Sequence, residues 1–326
     1  MIDALTQSYT FALIAAIICF VSAASTEVID DPPLRITYAP DQQALARESH
    51  DILARGLDEF GDRLPPGDQA IEVVICSTLP EFARHAGSLA QSNVVGIAKP
   101  DEGLIAVKAP NLTMGGADYR GTLRHELIHV LLARHTSPDN LPRWLNEGIA
   151  MVMSGEYRWE SRARVAQMYW QGRLIPYRDL LFVFLEPGKE MEFGDAYAQA
   201  LSMTRYLMDQ LGEEGFWRVV LALDSKTFGD ALRAEAGISP MDFYEDWTAS
   251  LWTVALIFSL VSGFSIFQLM AILTVIAYFR KRRRGLATVR AWEEEEQATT
   301  DDEEVSDPLP WNDPDEDEET WEDERN

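Results

Sequence analysis

One short stretch restricts the fold of this chain more than any other: residues 124–130, RHELIHV. Two histidines four positions apart leave the same face of a helix about one turn apart, so His125 and His129 can hold one metal ion between them. Glu126 can then project toward a water molecule at that metal instead of toward the metal itself. The apolar residues around them indicate a buried helix, where histidines without a ligand would be costly. The stretch therefore predicts a buried helix that carries most of a metal site.

The third ligand has two candidates in the sequence. His135 lies six positions after His129, which is the metzincin spacing, but Leu132 stands where that family has the glycine that turns the chain back. On a continuing helix His135 would point about 80° away from the face of His125. Glu147, in the stretch RWLNEGIA (143–150), lies 18 positions after His129. This interval leaves room for a loop and a returning helix, so Glu147 is the better candidate.

The two stretches HELIH and WLNEGIA together resemble the gluzincin zinc peptidases, also described as Peptidase MA-like, over roughly residues 70–250. The resemblance implies that His125, His129 and Glu147 bind one Zn²⁺ ion and that Glu126 is the general base. The run AYAQALSMTRYL (196–207) is similar to a helix in the aminopeptidase-like branch of that family. It implies that Tyr197 hydrogen-bonds the oxyanion of the tetrahedral intermediate.

Two positions depart from the family's pattern. The place of the acidic segment that holds a free amine in aminopeptidases is near GIAKP (96–100), which offers Lys99 and no acid. We therefore expect an endopeptidase, with an extended peptide substrate paired along an edge strand formed by GLIAVKAP (103–110). In thermolysin-like relatives an acid four residues after the glutamate ligand supports a histidine, but Met151 stands there, so the residues that support the ligands are not assigned.

Two apolar runs predict contact with a membrane. Residues 9–25 have the length of a signal-peptide core and end in small residues, but no Lys or Arg precedes them, so a signal peptide and an uncleaved anchor both remain open. Residues 251–279 are 29 positions without a charge, enough to cross a bilayer, and RKRRR (280–284) follows directly. This pattern predicts a single-pass protein, or a two-pass protein if the first segment is not cleaved. The middle of the chain would then be periplasmic or extracellular, and the C-terminal tail cytoplasmic.

The net charge of −25 is concentrated in that tail. From Glu293 to Asn326 there are 18 acidic residues against one basic residue, so the tail carries −17 and the remainder only −8. The tail has too little apolar surface to fold, and the remainder is too acidic to favour nucleic acid. Cys19 and Cys76 lie in a predicted membrane segment and a predicted strand, so a disulfide between them is not expected.

Strand-like stretches precede helical ones along the chain, which favours the α+β class. We expect a small mixed or antiparallel sheet packed on the HELIH helix, a mainly helical C-terminal part and a transmembrane helix. The predicted strands are RITYAP, AIEVVICS and the two halves of a hairpin over 94–110, while 26–34 reads as a linker. The predicted regions are 1–25 (signal peptide or anchor), 26–250 (peptidase domain), 251–279 (membrane span) and 280–326 (basic segment and disordered acidic tail).

Two functions from different classes follow. The first is a membrane-tethered zinc peptidase that acts on polypeptides. The second is a binding module with the same fold, inactive or weakly active, whose acidic tail recruits a cytoplasmic partner. Glu126 favours the first, because a purely structural zinc site does not need it.

Overall fold

A computed structural model describes residues 26–87, 94–113, 118–156, 159–185, 190–262 and 267–283. The N-terminal apolar segment and the acidic tail, with the predictions made for them, lie outside these residues. The chain divides into two compact units, of which the first ends at Phe258 and the second begins at Ser259.

The elements are numbered in chain order. The strands are β1 (Glu27–Asp31), β2 (Leu34–Tyr38), β3 (Ile71–Cys76), β4 (Gly96–Lys99) and β5 (Leu104–Lys108). The longer helices are α1 (Gln43–Phe60), α2 (Leu79–Ala86), α3 (Tyr119–Ala133), α4 (Arg143–Ser154), α5 (Trp159–Trp170), α6 (Tyr177–Leu180), α7 (Glu190–Ala222), α8 (Phe228–Ala236), α9 (Pro240–Ser262) and α10 (267–283). Short 3-10 turns lie at Pro40–Gln42, Pro100–Glu102, Pro110–Leu112 and Val183–Leu185. Helix α7 changes direction at Gly212, whose φ of 66° is not helical.

The five strands form one mixed sheet in the order β1-β2-β3-β5-β4. The β2, β3 and β5 strands run parallel, whereas β1 and β4 are antiparallel to their neighbours. Together with the mainly helical remainder, this sheet confirms the α+β class. The prediction of a linker over 26–34 is wrong, because Glu27–Asp31 pairs with Leu34–Tyr38 as a hairpin. Its side chains are mostly exposed, so the stretch lacks the apolar alternation that would reveal a strand.

The hairpin predicted over 94–110 forms, with Gly103 in the left-handed region at its turn. The edge strand assigned to GLIAVKAP is wrong, however. Strand β5 lies between β3 and β4, so the edge of the sheet is β4, Gly96–Lys99. The two halves of a hairpin are similarly apolar, and only the parallel pairing of β5 with β3 decides which half lies inside.

Helices cover both faces of the sheet. Alternate residues Ile71, Val73 and Ile75 of β3 join the large core beneath α1 and α3. On the opposite face Cys76, a buried free thiol, packs in a small cluster with Phe82 of α2. Because both faces of β3 are covered, its sequence is a nearly continuous apolar, β-branched run, and this run predicts the strand. Helix α3 is therefore held between the sheet on one side and α4 on the other.

The predicted membrane span, residues 251–279, includes parts of α9 and α10 and the intervening residues 263–266, which are outside the described part of the chain. Among the helices that the structure describes, none combines the length and the apolar character needed to cross a bilayer. Helix α9 runs through the boundary predicted at 250/251, and both Leu251 and Ala255 are buried.

Candidate metal centre

Helix α3 presents the two histidines. Asp118 caps its N-terminus by accepting a hydrogen bond from the backbone N–H of Gly121 at 2.9 Å. Apolar residues bury most of the remaining surface of the helix, as the sequence predicts. His125 and His129 leave the helix on the side of α4, with their ring centroids 4.7 Å apart.

Helix α4 supplies the third candidate ligand. The Glu147 Oε2 atom lies 3.5 Å from Nε2 of His125 and 3.5 Å from Nε2 of His129. One ligand atom from each of these residues lies within 4.8 Å of the other two. His135 does not join them: its Nε2 donates a hydrogen bond to the carbonyl of Pro65 at 2.8 Å. The structure thus brings together the three residues that the two sequence motifs contain.

The other ring nitrogen of each histidine is held by a hydrogen-bond acceptor. Nδ1 of His125 lies 2.9 Å from Oε1 of Glu156, and Nδ1 of His129 lies 3.0 Å from Oδ1 of Asn146. Because both partners accept, each Nδ1 carries a hydrogen, and each Nε2 is the atom that could bind a metal once a metal displaces its proton. Metal-ligating histidines characteristically have such support.

Sequence reasoning missed both supporting residues. Asn146 lies within the WLNEGIA stretch itself, directly before the glutamate ligand. Glu156 follows the end of α4, where Gly155 adopts φ 83° and the Glu156 N–H bonds to the carbonyl of Met151 at 3.1 Å. A glycine at such a position is the usual signal for a helix that ends in a left-handed turn, and this turn brings the chain back to His125. Met151 is buried and supports neither histidine.

The cluster is electrostatically coupled. Burial by itself favours the neutral form of His125, but its hydrogen bonds with Glu147 and Glu156 outweigh burial and raise its pKa to about 10. Burial also disfavours a charge on Glu147, yet the two histidines hold its pKa well below the usual range. In the absence of a metal these side chains therefore stabilise one another as opposite charges. A divalent cation can replace the protons.

Glu126 lies on the strand side of the cluster. Only 8 % of this residue is exposed, and burial raises the pKa of its carboxyl group. The edge strand β4 approaches it closely at Gly96: a Cβ atom there would lie 3.1 Å from Oε1 of Glu126 and 2.7 Å from Cγ2 of Thr122. Glycine is therefore required at this position, and β4 covers the carboxylate.

Tyr197 lies on α7, the helix that packs against α4. This packing is close because Gly148 has no side chain: a Cβ there would lie 2.0 Å from Oγ1 of Thr204. Tyr197 is 37 % exposed, and its ring meets that of Phe184 edge to face at 5.3 Å. Burial, and then the negative charges of Glu147 and Glu126, raise the pKa of its hydroxyl group. The tyrosine is thus close enough to feel the cluster's charge and remains protonated.

The donor set fits a metal ion. Roughly 3.3 Å separates neighbouring ligand atoms when each is 2.0–2.1 Å from a tetrahedrally coordinated zinc, close to the 3.5 Å measured between Glu147 and each histidine. Two imidazole nitrogens and one carboxylate oxygen leave the fourth position open, as catalytic zinc sites do. His125, His129 and Glu147 could therefore hold a metal ion.

Comparison with known proteins agrees with this geometry. A family model described as the Peptidase MA superfamily matches residues 69–253, more than half of the 326-residue chain. No match was found among curated proteins. The matched region contains α3, α4 and all three candidate ligands, together with the sheet edge beside them. The chain accordingly belongs to the Peptidase MA superfamily.

Proposed function

We propose that this protein is a membrane-tethered, zinc-dependent endopeptidase of the gluzincin type. One observation carries the proposal: Nε2 of His125, Nε2 of His129 and Oε2 of Glu147 converge on one point beside the buried carboxylate of Glu126. A metal site that serves only to stabilise a fold gains nothing from a fourth, buried carboxylate, whose charge costs free energy there.

The residues divide the work of peptide hydrolysis. Zinc, when bound, supplies a Lewis acid that polarises the scissile carbonyl and acidifies water. Glu126 accepts the proton of the attacking water and passes it to the leaving amine. A carboxylate within reach of the water can serve as base and then as acid in these two transfers. The Tyr197 hydroxyl group, kept protonated by its surroundings, donates a hydrogen bond to the developing oxyanion.

The edge strand β4 favours an extended polypeptide as the substrate. In the described sheet β4 pairs with β5 on one side only, so its other edge can hydrogen-bond a substrate strand. Gly96, at the start of this strand, contacts Thr122 and Glu126 and so places the substrate beside the catalytic carboxylate. Strand β4 carries Lys99 where an aminopeptidase needs an acid, which favours cleavage inside a chain.

Support for the membrane tether comes from the sequence and from α10. The uncharged run 251–279 and the basic RKRRR that follows it favour a span whose C-terminal end is cytoplasmic. Helix α10 exposes a series of large apolar side chains, including Phe267 (79 %) and Tyr278 (61 %). The catalytic unit would then be periplasmic or extracellular. To test this topology, a protease is added outside intact cells. We expect it to digest the catalytic unit and to spare the acidic tail.

Catalysis is tested with the full-length protein in detergent micelles. The wild type, Glu126→Gln and the surface control Glu235→Gln are assayed for zinc content and for cleavage of a denatured protein. We expect one zinc per chain in all three proteins, with cleavage lost only in Glu126→Gln. Bound zinc without any Glu126-dependent cleavage would instead support the alternative, a binding module whose acidic tail recruits a cytoplasmic partner. A folded protein that binds no zinc would refute both readings.

A further inference from the structure

Helix α9 has apolar residues both on its buried side and on its exposed side. Its inner side packs into the core through a stripe with helical spacing: Phe243, Trp247, Leu251 and Ala255. Its outer side, over the last turns before Phe258, is apolar and exposed: Trp252 (51 %), Val254 (41 %), Leu256 (37 %) and Ile257 (59 %). Exposed apolar residues so close together on a soluble domain mark a contact surface.

A second tryptophan extends this surface. The indole N–H of Trp170, at the end of α5, donates a hydrogen bond to the carbonyl of Ala255 at 3.0 Å. Its ring lies 6.0 Å from that of Trp252 in an edge-to-face arrangement, and Trp170 remains 48 % exposed. The hydrogen bond fixes the ring on α9, so the exposed indole pair is an ordered part of the surface. We refer to Trp170, Trp252, Val254, Leu256 and Ile257 as the aromatic face.

A groove with both apolar and polar lining residues adjoins the aromatic face. A cavity of about 290 Å³ opens between α5, α7 and α9, and Val254 belongs to both the cavity and the face. Its polar lining has more cations than anions, because Arg162 and Arg205 outnumber Asp209. Ser202 and Ser250 also line it, but the Ser250 hydroxyl group donates to the carbonyl of Trp247 at 2.6 Å and the Ser202 hydroxyl group accepts from the Trp247 indole N–H at 3.1 Å. The guanidinium groups are therefore the donors in the groove that suit a phosphate.

We propose that the aromatic face lies in the interfacial layer of a lipid bilayer, with the groove at the level of the phosphate groups. The inference rests on the proposed tether. Two features select lipid as the occupant: tryptophans are typical of the membrane interface, and the face lies at the start of the uncharged run 251–279. The adjoining groove adds the guanidinium groups of Arg162 and Arg205. A protein partner would account for the exposed side chains but not for their place at the start of that run.

The proposal restricts the substrate. The same helix is packed in the core at Trp247 and exposes apolar side chains five residues later at Trp252, so no flexible linker separates the catalytic unit from the surface it would occupy. The catalytic unit would rest on the bilayer rather than extend from it on a stalk. Its substrates would then be polypeptide segments close to the membrane, such as the juxtamembrane parts of membrane proteins or chains emerging from the bilayer.

The test measures contact with lipid at single positions of the full-length protein. A polarity-sensitive fluorophore is attached at Trp170→Cys or Ile257→Cys in a Cys19→Ser background. Buried Cys76 resists labelling, since burial raises the pKa of its thiol to about 12. The control, Val28→Cys, is on β1 at one edge of the sheet, where Val28 is 45 % exposed. The protein is reconstituted into phosphatidylcholine–phosphatidylglycerol vesicles whose acyl chains carry bromine near the headgroup.

Flotation with the vesicles is measured first, because it tests the tether alone. In chains that float, we expect brominated lipid to quench the labels at 170 and 257 and to leave the label at 28 bright. Equal emission at all three positions would overturn the proposal while leaving the tether intact. Labels at 170 and 257 that are shielded from both lipid and aqueous iodide would also overturn it, by indicating a protein partner. Failure to float would overturn both the interfacial proposal and the tether. Zinc content and Glu126-dependent cleavage, measured in the same samples, report separately on the catalytic proposal.

Discussion

The hydrogen bond between Glu156 and His125 gives a prediction whose size follows from the structure. Glu156→Ala removes the acceptor 2.9 Å from Nδ1, so the imidazole loses the contact that fixes its tautomer and orientation. A hydrogen bond to a charged group contributes about 1.5–3 kcal/mol. The Glu156 side chain is 33 % exposed, which screens its charge and favours the lower end of that range. A loss of about 1.5 kcal/mol corresponds to about tenfold weaker zinc binding, the low end of what the removal of such a supporting group costs.

The assay is competition for zinc with a chromophoric chelator, on the full-length protein at neutral pH. Glu156→Gln should lose less affinity than Glu156→Ala, because its amide oxygen can still accept from Nδ1. Glu214→Gln, which alters an exposed pair with Arg63, is the matched control and should bind zinc as the wild type does. If Glu156→Ala folds and binds zinc with unchanged affinity, the contact does not orient the ligand and the argument is refuted.

Three further predictions concern packing, protonation and chemistry. Gly148→Ala should lower the free energy of unfolding by about 1–3 kcal/mol, because its Cβ would lie 2.0 Å from Oγ1 of Thr204. The control Gly229→Ala, where no neighbour lies nearer than 3.5 Å, should not lower it. Equal denaturation midpoints for the two variants would contradict this. The pKa of His125 is raised from 6.5 to about 10 in the folded protein, so protonated His125 stabilises the metal-free protein fully below pH 6.5. This stabilisation is lost as the pH rises to 10. Melting temperatures measured with a chelator should therefore fall over that window, while the increment due to zinc grows as protons cease to compete; a flat profile would count against the coupling. Tyr197→Phe should lower kcat about 10²–10³-fold with zinc content unchanged, and a wild-type kcat would remove the tyrosine from the mechanism.

The proximity of the candidate ligands could be predicted from the sequence in part because helical periodicity fixes the geometry of residues four apart. Residues four apart on α3 must share a face, so His125 and His129 needed no tertiary information. Glu147 required the second motif, since an 18-residue interval does not by itself say where a chain returns. Asn146 and Glu156 were missed because their contacts depend on the packing of α4 against α3 and on the left-handed turn at Gly155.

The fold was predictable where burial imposes a pattern. Strand β3 is covered on both faces and is predicted by its apolar, β-branched residues, whereas the exposed β1 (EVIDD) has no such run and is missed. The order of strands is a different kind of information. The pattern of 94–110 predicts a hairpin, but the long-range pairing of β5 with β3 determines that β4 is the edge. This difference transfers the proposed substrate-binding edge from residues 103–110 to Gly96–Lys99.

The central claim is that His125, His129 and Glu147 form one metal site. X-ray absorption at the zinc edge, measured on the full-length protein reconstituted with one equivalent of zinc, tests this most directly. The account predicts two imidazole nitrogens at about 2.0–2.1 Å and oxygen ligands at about 2.0–2.2 Å, with one histidine fewer in His129→Ala. His135→Ala should leave the spectrum unchanged. A spectrum with sulfur or a third imidazole, or one insensitive to His129→Ala, would contradict the account.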